Sequence, residues 1–146
     1  MLKIHYPQYQ YRLKKEDNKE YIFDEVRKRW VRLTPEEWVR QNFVQYLIQK
    51  EMYPASLIGV EKELLLNDIK KRCDLLVYKN DLPVMLIECK EMDVDLSEHV
   101  LKQVLIYNMA MPVEYLCVTN GSYCYAWHRT DNALTVIEKF PSWKDL

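Results

Sequence analysis

Glycine is nearly absent: Gly59 and Gly121 are the only two in 146 residues. A Gly-x-x-x-x-Gly-Lys phosphate loop or a Gly-x-Gly-x-x-Gly fingerprint needs several, because the backbone must close on phosphate with no Cβ in the way. Neither motif exists in these residues, so no nucleotide-driven motor is encoded in them. Long apolar runs are missing too. Nothing approaches the roughly twenty residues that span a bilayer. The start, Met1-Leu2-Lys3-Ile4-His5-Tyr6-Pro7, has neither the apolar stretch nor the cleavage site of a secretion signal. A cytoplasmic protein with no membrane partner is expected. Excess charge of one sign is also lacking, since the net charge is −1 and the pI about 6.3. Bulk charge therefore does not hold a polyanion here, and any phosphate contact must come from local patches. Arg27-Lys28-Arg29 with Arg32, and Lys70-Lys71-Arg72, are the candidates. Each also reads as ordinary solvated charge.

Cysteine pairs with metal-binding spacing are absent. Cys73, Cys89, Cys117 and Cys124 form no Cys-x-x-Cys, and His5, His99 and His128 do not cluster with them, which leaves a zinc site unsupported. Cys117 and Cys124 flank Asn120-Gly121 symmetrically, so a hairpin there would bring them together. Without a secretory signal, buried free thiols are expected.

The apolar content of 49% and the length suit a single domain with one sizeable core. Residues 1–32 are polar and lack a sustained period. They read as an N-terminal arm, with short strands near Tyr21–Phe23 and Trp30–Leu33. The remaining residues, 33–146, read as the domain proper. Thr34, Pro35 and Glu37 form a helix start: an N-cap, a proline at the first helical position and a Thr-x-x-Glu capping box. The helix should run to about Lys50 and bury Val39, Phe43, Tyr46 and Leu47. Residues 57–66, 71–78 and 83–90 read as strands, the last two joined as a hairpin by a loop of four or five residues around Asp81. A helix over about 97–111 should stop before Pro112. A second hairpin about Asn120-Gly121 and a short strand near Leu134–Phe140 complete the chain. The order predicts an α/β domain with a mixed sheet.

The first hairpin carries the chemistry. A turn centred on Asp81 sets Tyr78 against Val84, Leu76 against Leu86, and Asp74 against Glu88. Opposed residues have Cβ atoms roughly 4.5–5.5 Å apart, and Lys90 shares the face of Glu88. Cys73, Leu75, Val77, Met85, Ile87 and Cys89 should line the other face. Opposed carboxylates repel, so a cation should offset them. Lys90 supplies one charge, which makes a structural salt bridge of these three residues one reading. A divalent ion is the other: Mg²⁺ takes one or two protein carboxylates and completes its shell with water and phosphate oxygens. The Cys89 carbonyl would be a further ligand. Such a site suits phosphodiester hydrolysis, with Lys90 orienting or deprotonating water or binding phosphate. On the following helix, Gln103 and Tyr107 lie four apart on the face shared with Val100 and Val104. A buried Gln103 would need a partner, either the site or nearby backbone.

Asp74, then Glu88-Cys89-Lys90, then Gln103-x-x-x-Tyr107 resembles the PD-(D/E)XK nuclease signature with the Gln-x-x-x-Tyr extension of its RecB-like branch. The wider sequence is similar to the N-terminal nuclease domain of the restriction subunit of type I restriction enzymes. Residues 33–41, Val60-Glu61-Lys62-Glu63-Leu64, Arg72-Cys73-Asp74 and Leu116-Cys117-Val118-Thr119-Asn120-Gly121 support it. The resemblance implies a restriction-endonuclease-like mixed β-sheet flanked by helices and Mg²⁺- or Mn²⁺-dependent cleavage of DNA. Asp74 and Glu88 would hold the metal, Lys90 would be catalytic, and Gln103 and Tyr107 would support the site or contact DNA. An acidic residue on the first helix often joins such sites. Glu37 matches it, although the capping box explains Glu37 equally well. The restriction subunit also carries a helicase-like motor, so a stand-alone nuclease domain is expected here, with any motor or specificity function in separate subunits. A homodimer would suit cutting both strands. The alternative is a catalytically inactive DNA-binding or assembly module of the same fold.

Overall fold

The computed structural model describes residues 1–66, 68–110, 113–131 and 133–146, without the side chains of 66, 69 and 107–110. An N-terminal strand β1 (Leu2–Lys3) precedes three short strands, β2 (Leu13–Glu16), β3 (Lys19–Asp24) and β4 (Arg29–Arg32). Helix α1 (Pro35–Gln49) leads to β5 (Ile58–Leu66), β6 (Ile69–Lys79) and β7 (Leu82–Cys89). Then come α2 (Glu98–Ala110), β8 (Tyr115–Thr119), β9 (Tyr123–Thr130) and β10 (Ala133–Val136).

The main sheet has the order β1-β9-β8-β7-β6-β5, with β10 also on β9. β7 and β8 are parallel, and α2 makes the crossover between them; the other pairings are antiparallel. This is the expected mixed α/β arrangement. β6 and β7 are central and apolar on both faces, as the unbroken runs Leu75-Leu76-Val77 and Met85-Leu86-Ile87 anticipate. One core packs them under α1, around Phe43, Leu47, Leu75 and Ile87. The other packs them under α2, around Leu76, Leu86, Val100 and Val104.

The start of α1 follows its sequence. Pro35 begins the helix and Thr34 Oγ1 accepts the Glu37 N–H at 3.0 Å. Thr34→Ala is expected to cost about 1 kcal/mol, read as a lowered thermal midpoint. The anticipated apolar side (Val39, Phe43, Tyr46, Leu47) is buried.

The hairpin differs from expectation at its tip and at its base and agrees between them. Asn80 and Asp81 both take positive φ, 54° and 65°, and close a tight two-residue turn. A register shift between Val77 and Tyr78 then sets Tyr78 against Pro83, not Val84. Below that irregularity the expected pairs stand: Leu76 with Leu86 and Leu75 with Ile87. The ladder ends there, so the expected pairing of Asp74 with Glu88 is not formed as a ladder pair; the two are neighbours through charge, and Asp74 bonds the Cys89 N–H.

The polar segment 1–32 holds more structure than its two anticipated strands. β2, β3 and β4 form a separate antiparallel sheet, with Ile22 fully buried. Strict alternation missed this because only one face of so short a sheet is apolar, and only at Ile22 and its neighbours.

Candidate active site

Glu88 and Cys89 end β7 where it runs beside the end of β8. The Lys90 N–H donates to the Thr119 carbonyl at 2.8 Å, carrying the ladder one residue past the strand. Asp74 meets this end from β6. Its Oδ2 accepts the Cys89 N–H at 2.8 Å, so a side chain satisfies a backbone donor there. The β5–β6 ladder pairs Val60 with Leu75 and Lys62 with Cys73 but passes over Glu61 and Asp74, and Glu61 has φ 51°. That break explains a correction: Cys73 packs with Leu76 and Leu86 under α2, not with Leu75 and Val77. Asp74 turns toward α1 instead.

There it meets Arg40. Arg40 Nη1 donates to Asp74 Oδ1 at 2.6 Å, its Nε and Nη2 donate to Glu37 at 2.9 and 3.0 Å, and Glu61 lies 3.3 Å away. Glu37 also accepts from Arg27 at 2.8 Å and Gln41 at 3.3 Å. Arg27 reaches Glu61 at 3.1 Å and pairs with Asp24, whose carboxylate also accepts the Val26 and Arg27 N–H groups and Gln41. A buried ladder of alternating charge thus runs from the β3–β4 turn to Asp74. Burial opposes the charge of Arg40, but the hydrogen bonds and charges of Glu37, with Asp74 and Glu61, outweigh it and raise its pKa. Burial likewise opposes ionisation of Asp24, and Arg27 more than offsets it, holding that carboxyl below its usual range.

Glu88 lacks this support. It is 8% exposed, and its Oε1 has no hydrogen-bond partner. Burial first, and the Asp74 charge second, push its carboxyl up to about 9 despite Lys90. No ion pair to Lys90 within 4.0 Å occurs among the described residues, so the anticipated Asp74–Glu88–Lys90 bridge is replaced by an Asp74–Arg40 pair. A divalent cation fits this deficit: a buried carboxylate oxygen without a donor, beside a second carboxylate, at a strand end. Two carboxylates are what the site offers; no group of three or more Asp, Glu, His or Cys side chains arranged for a metal occurs among the described residues.

The other anticipated residues divide. The Cys89 thiol is buried in the α1-side core, its pKa raised by burial, so only its backbone borders the site. Glu37 is buried with both oxygens on arginines, and it touches Asp74 only through Arg40. Its neighbour Glu36 is the α1 acid that senses the site. Partial burial, then Asp74, raise its carboxyl, while Arg40 and Lys90 pull it down. Gln103 is exposed, contrary to the inward orientation expected, because Val100, Leu101 and Val104 turn that part of α2 to the sheet. The Tyr107 side chain lies outside the described residues. Arg40, Asp24 and Glu61 were not anticipated as site residues, and Arg27, read as part of a phosphate-binding patch or as solvated charge, is instead tied up with Asp24, Glu37 and Glu61. The i, i+3 and i, i+4 spacing of Glu37, Arg40 and Gln41 is the one local signal that pointed to them. Cys117 and Cys124 are free buried thiols, their sulfurs 2.9 Å apart.

Residues 35–141 match the family model of the type I restriction enzyme R protein N terminus. The chain belongs to this family. Among solved structures it is similar to a fragment described as an HsdR subunit of a type I restriction enzyme from Vibrio vulnificus, with a TM-score of 0.58 and 17% identity. That match covers 78% of this chain and 24% of the other, so the chain spans about a quarter of the structure it resembles. At this identity the likeness concerns the fold. No curated protein matches.

Proposed function

We propose that this R-protein N-terminal domain is a PD-(D/E)XK nuclease that hydrolyses DNA phosphodiesters with Mg²⁺, or Mn²⁺ in its place. The observation that carries the reading is Glu88 Oε1, buried without a donor beside Asp74 at the end of β7. Asp74, Glu88 and the Cys89 carbonyl would hold the metal, which when bound supplies charge stabilisation for the pentacoordinate transition state and acidifies water. Lys90 lies just past the strand, where its ammonium orients the attacking water or binds the scissile phosphate. Arg40, fixed by Glu37 and Glu61, positions Asp74. The exposed Gln103 is assigned to DNA contact with Tyr107. Motor and specificity subunits would be its partners in the cytoplasm, and a homodimer would serve double-strand cutting.

Incubation with duplex and single-stranded DNA tests the reading. Cleavage is expected with Mg²⁺ or Mn²⁺, lost in chelator and in Asp74→Ala or Lys90→Ala. Absence of cleavage, or cleavage undiminished in those variants, overturns it.

One observation favours a second reading, a non-catalytic DNA-binding or assembly module. Both oxygens of Asp74 are already bonded, to Arg40 and to the Cys89 N–H. Calorimetric titration with Mg²⁺ separates the two, since a relict site takes up no metal through Asp74 and Glu88.

A further inference from the structure

The small N-terminal sheet has two unlike faces. Alternation turns Ile22 and Asp24 inward, where both are buried. Tyr21 and Phe23 turn outward, beside their ladder partners Arg32 and Trp30. Lys14 stands opposite Tyr21 on the other side. Cations thus interleave with rings. The Lys14 ammonium lies 4.7 Å from the Trp30 centroid and 5.6 Å from that of Tyr21, Arg32 lies 5.8 Å from Tyr21, and Arg12 lies 3.8 Å from Phe23. Lys19 adds a further charge on the same face, opposite Glu16. Two carboxylates border it, Glu16 at 3.1 Å from Lys14 and Glu25 at 3.4 Å from Arg12. The face is therefore cationic in a chain of net charge −1. Trp30 is 37% exposed.

Stability does not call for such a face. The solvated side of an antiparallel sheet needs only polar residues. Rings at the surface, covered only by long and movable cationic side chains, are what an unpaired nucleic-acid strand recognises: bases stack on the rings while lysine and arginine take the phosphates.

We infer that the outer face of β2–β3–β4 binds single-stranded nucleic acid. Bases rest on Tyr21 and Trp30, and Lys14, Arg32 and Arg12 swing from the rings to successive phosphates. A duplex hides its base faces and leaves the rings unused. The inference deepens the proposed action on DNA by naming the strand form the chain engages, and it uses no residue of the Asp74–Glu88 site.

Fluorescence anisotropy of labelled oligo-dT in chelator and low salt tests it. The wild-type chain is expected to bind, and to bind a duplex of equal length about tenfold more weakly. Trp30→Ala should weaken oligo-dT binding about tenfold or more. The double variant Lys14→Gln/Arg32→Gln should flatten the dependence of log K on log salt by about 0.7 for each phosphate it no longer neutralises. These positions are exposed and outside the buried charge ladder, and far-UV circular dichroism confirms that each variant folds. No binding by the wild type, equal affinity for duplex, or full affinity in both variants overturns the inference. Assaying the same preparation for Mg²⁺-dependent cleavage separates the claims. Cleavage without oligo-dT binding sinks this surface alone, and oligo-dT binding without cleavage sinks the nuclease reading alone.

Discussion

Arg40→Met is expected to lower folding stability by about 3–5 kcal/mol, the range for removing one partner from a buried ionic cluster. Arg40 is 6% exposed and serves three carboxylates: Glu37, Glu61 and Asp74. Methionine fills much of the volume but donates nothing. Glu37 keeps Arg27, whereas Asp74 Oδ1 loses its donor next to Glu88 Oε1, which already lacks one. Arg40→Lys should recover only part of the loss, because an ammonium cannot present the forked donors that reach Glu37 twice and Asp74 once. Urea unfolding followed by circular dichroism, with an unchanged m-value, measures both. A loss below about 1 kcal/mol for Arg40→Met would show that water already carries these charges.

Glu88→Gln has the opposite expected sign: it stabilises the metal-free protein at neutral pH and above. In the folded chain the carboxyl is pushed up to about 9, against an ordinary value of 4.5. Between those values the folded state keeps a proton that the unfolded chain has released. Stability of the wild type therefore falls as pH rises through that window, by on the order of a few kcal/mol. Glutamine keeps the shape and carries no charge, so its stability should be nearly flat over the same range. Thermal unfolding in chelator across the window reads the difference. Added Mg²⁺ should restore the wild type, since a ligand of the folded state stabilises it by mass action, and should leave the Gln variant little changed. If Glu88 served only as the partner of Lys90, the substitution would destabilise at every pH above the ordinary carboxyl range. The sign alone decides between a site built for a cation and a structural bridge.

The sequence was most informative where a signal is local. Thr34-Pro35 starts α1, and Asn80-Asp81 turns the hairpin whose inner register aligns Leu76 with Leu86 and Leu75 with Ile87. The unbroken apolar runs of β6 and β7 made them central, and the resemblance to the restriction subunit's N-terminal region agrees with the family shown by residues 35–141. It was least informative about Gln103, whose place on a helix face could be read but whose burial depends on how α2 lies on the sheet.

That β6 and β7 pair as neighbours and carry Asp74 and Glu88 to the same end was thus determined by the chain itself, because hairpin register is short-range, although the irregularity at Glu61 turns Asp74 toward α1. Tertiary structure alone decided what surrounds that pair. Arg27, Arg40 and Glu61 come from a turn, a helix and a strand far apart in sequence, and no periodicity announces that they converge. Their meeting depends on where the N-terminal sheet and α1 dock, a choice made by the burial of Ile22, Val39 and Phe43. Charges so placed neutralise Asp74 and leave Glu88 Oε1 without a partner, and that asymmetry is the deficit the proposed cation would fill.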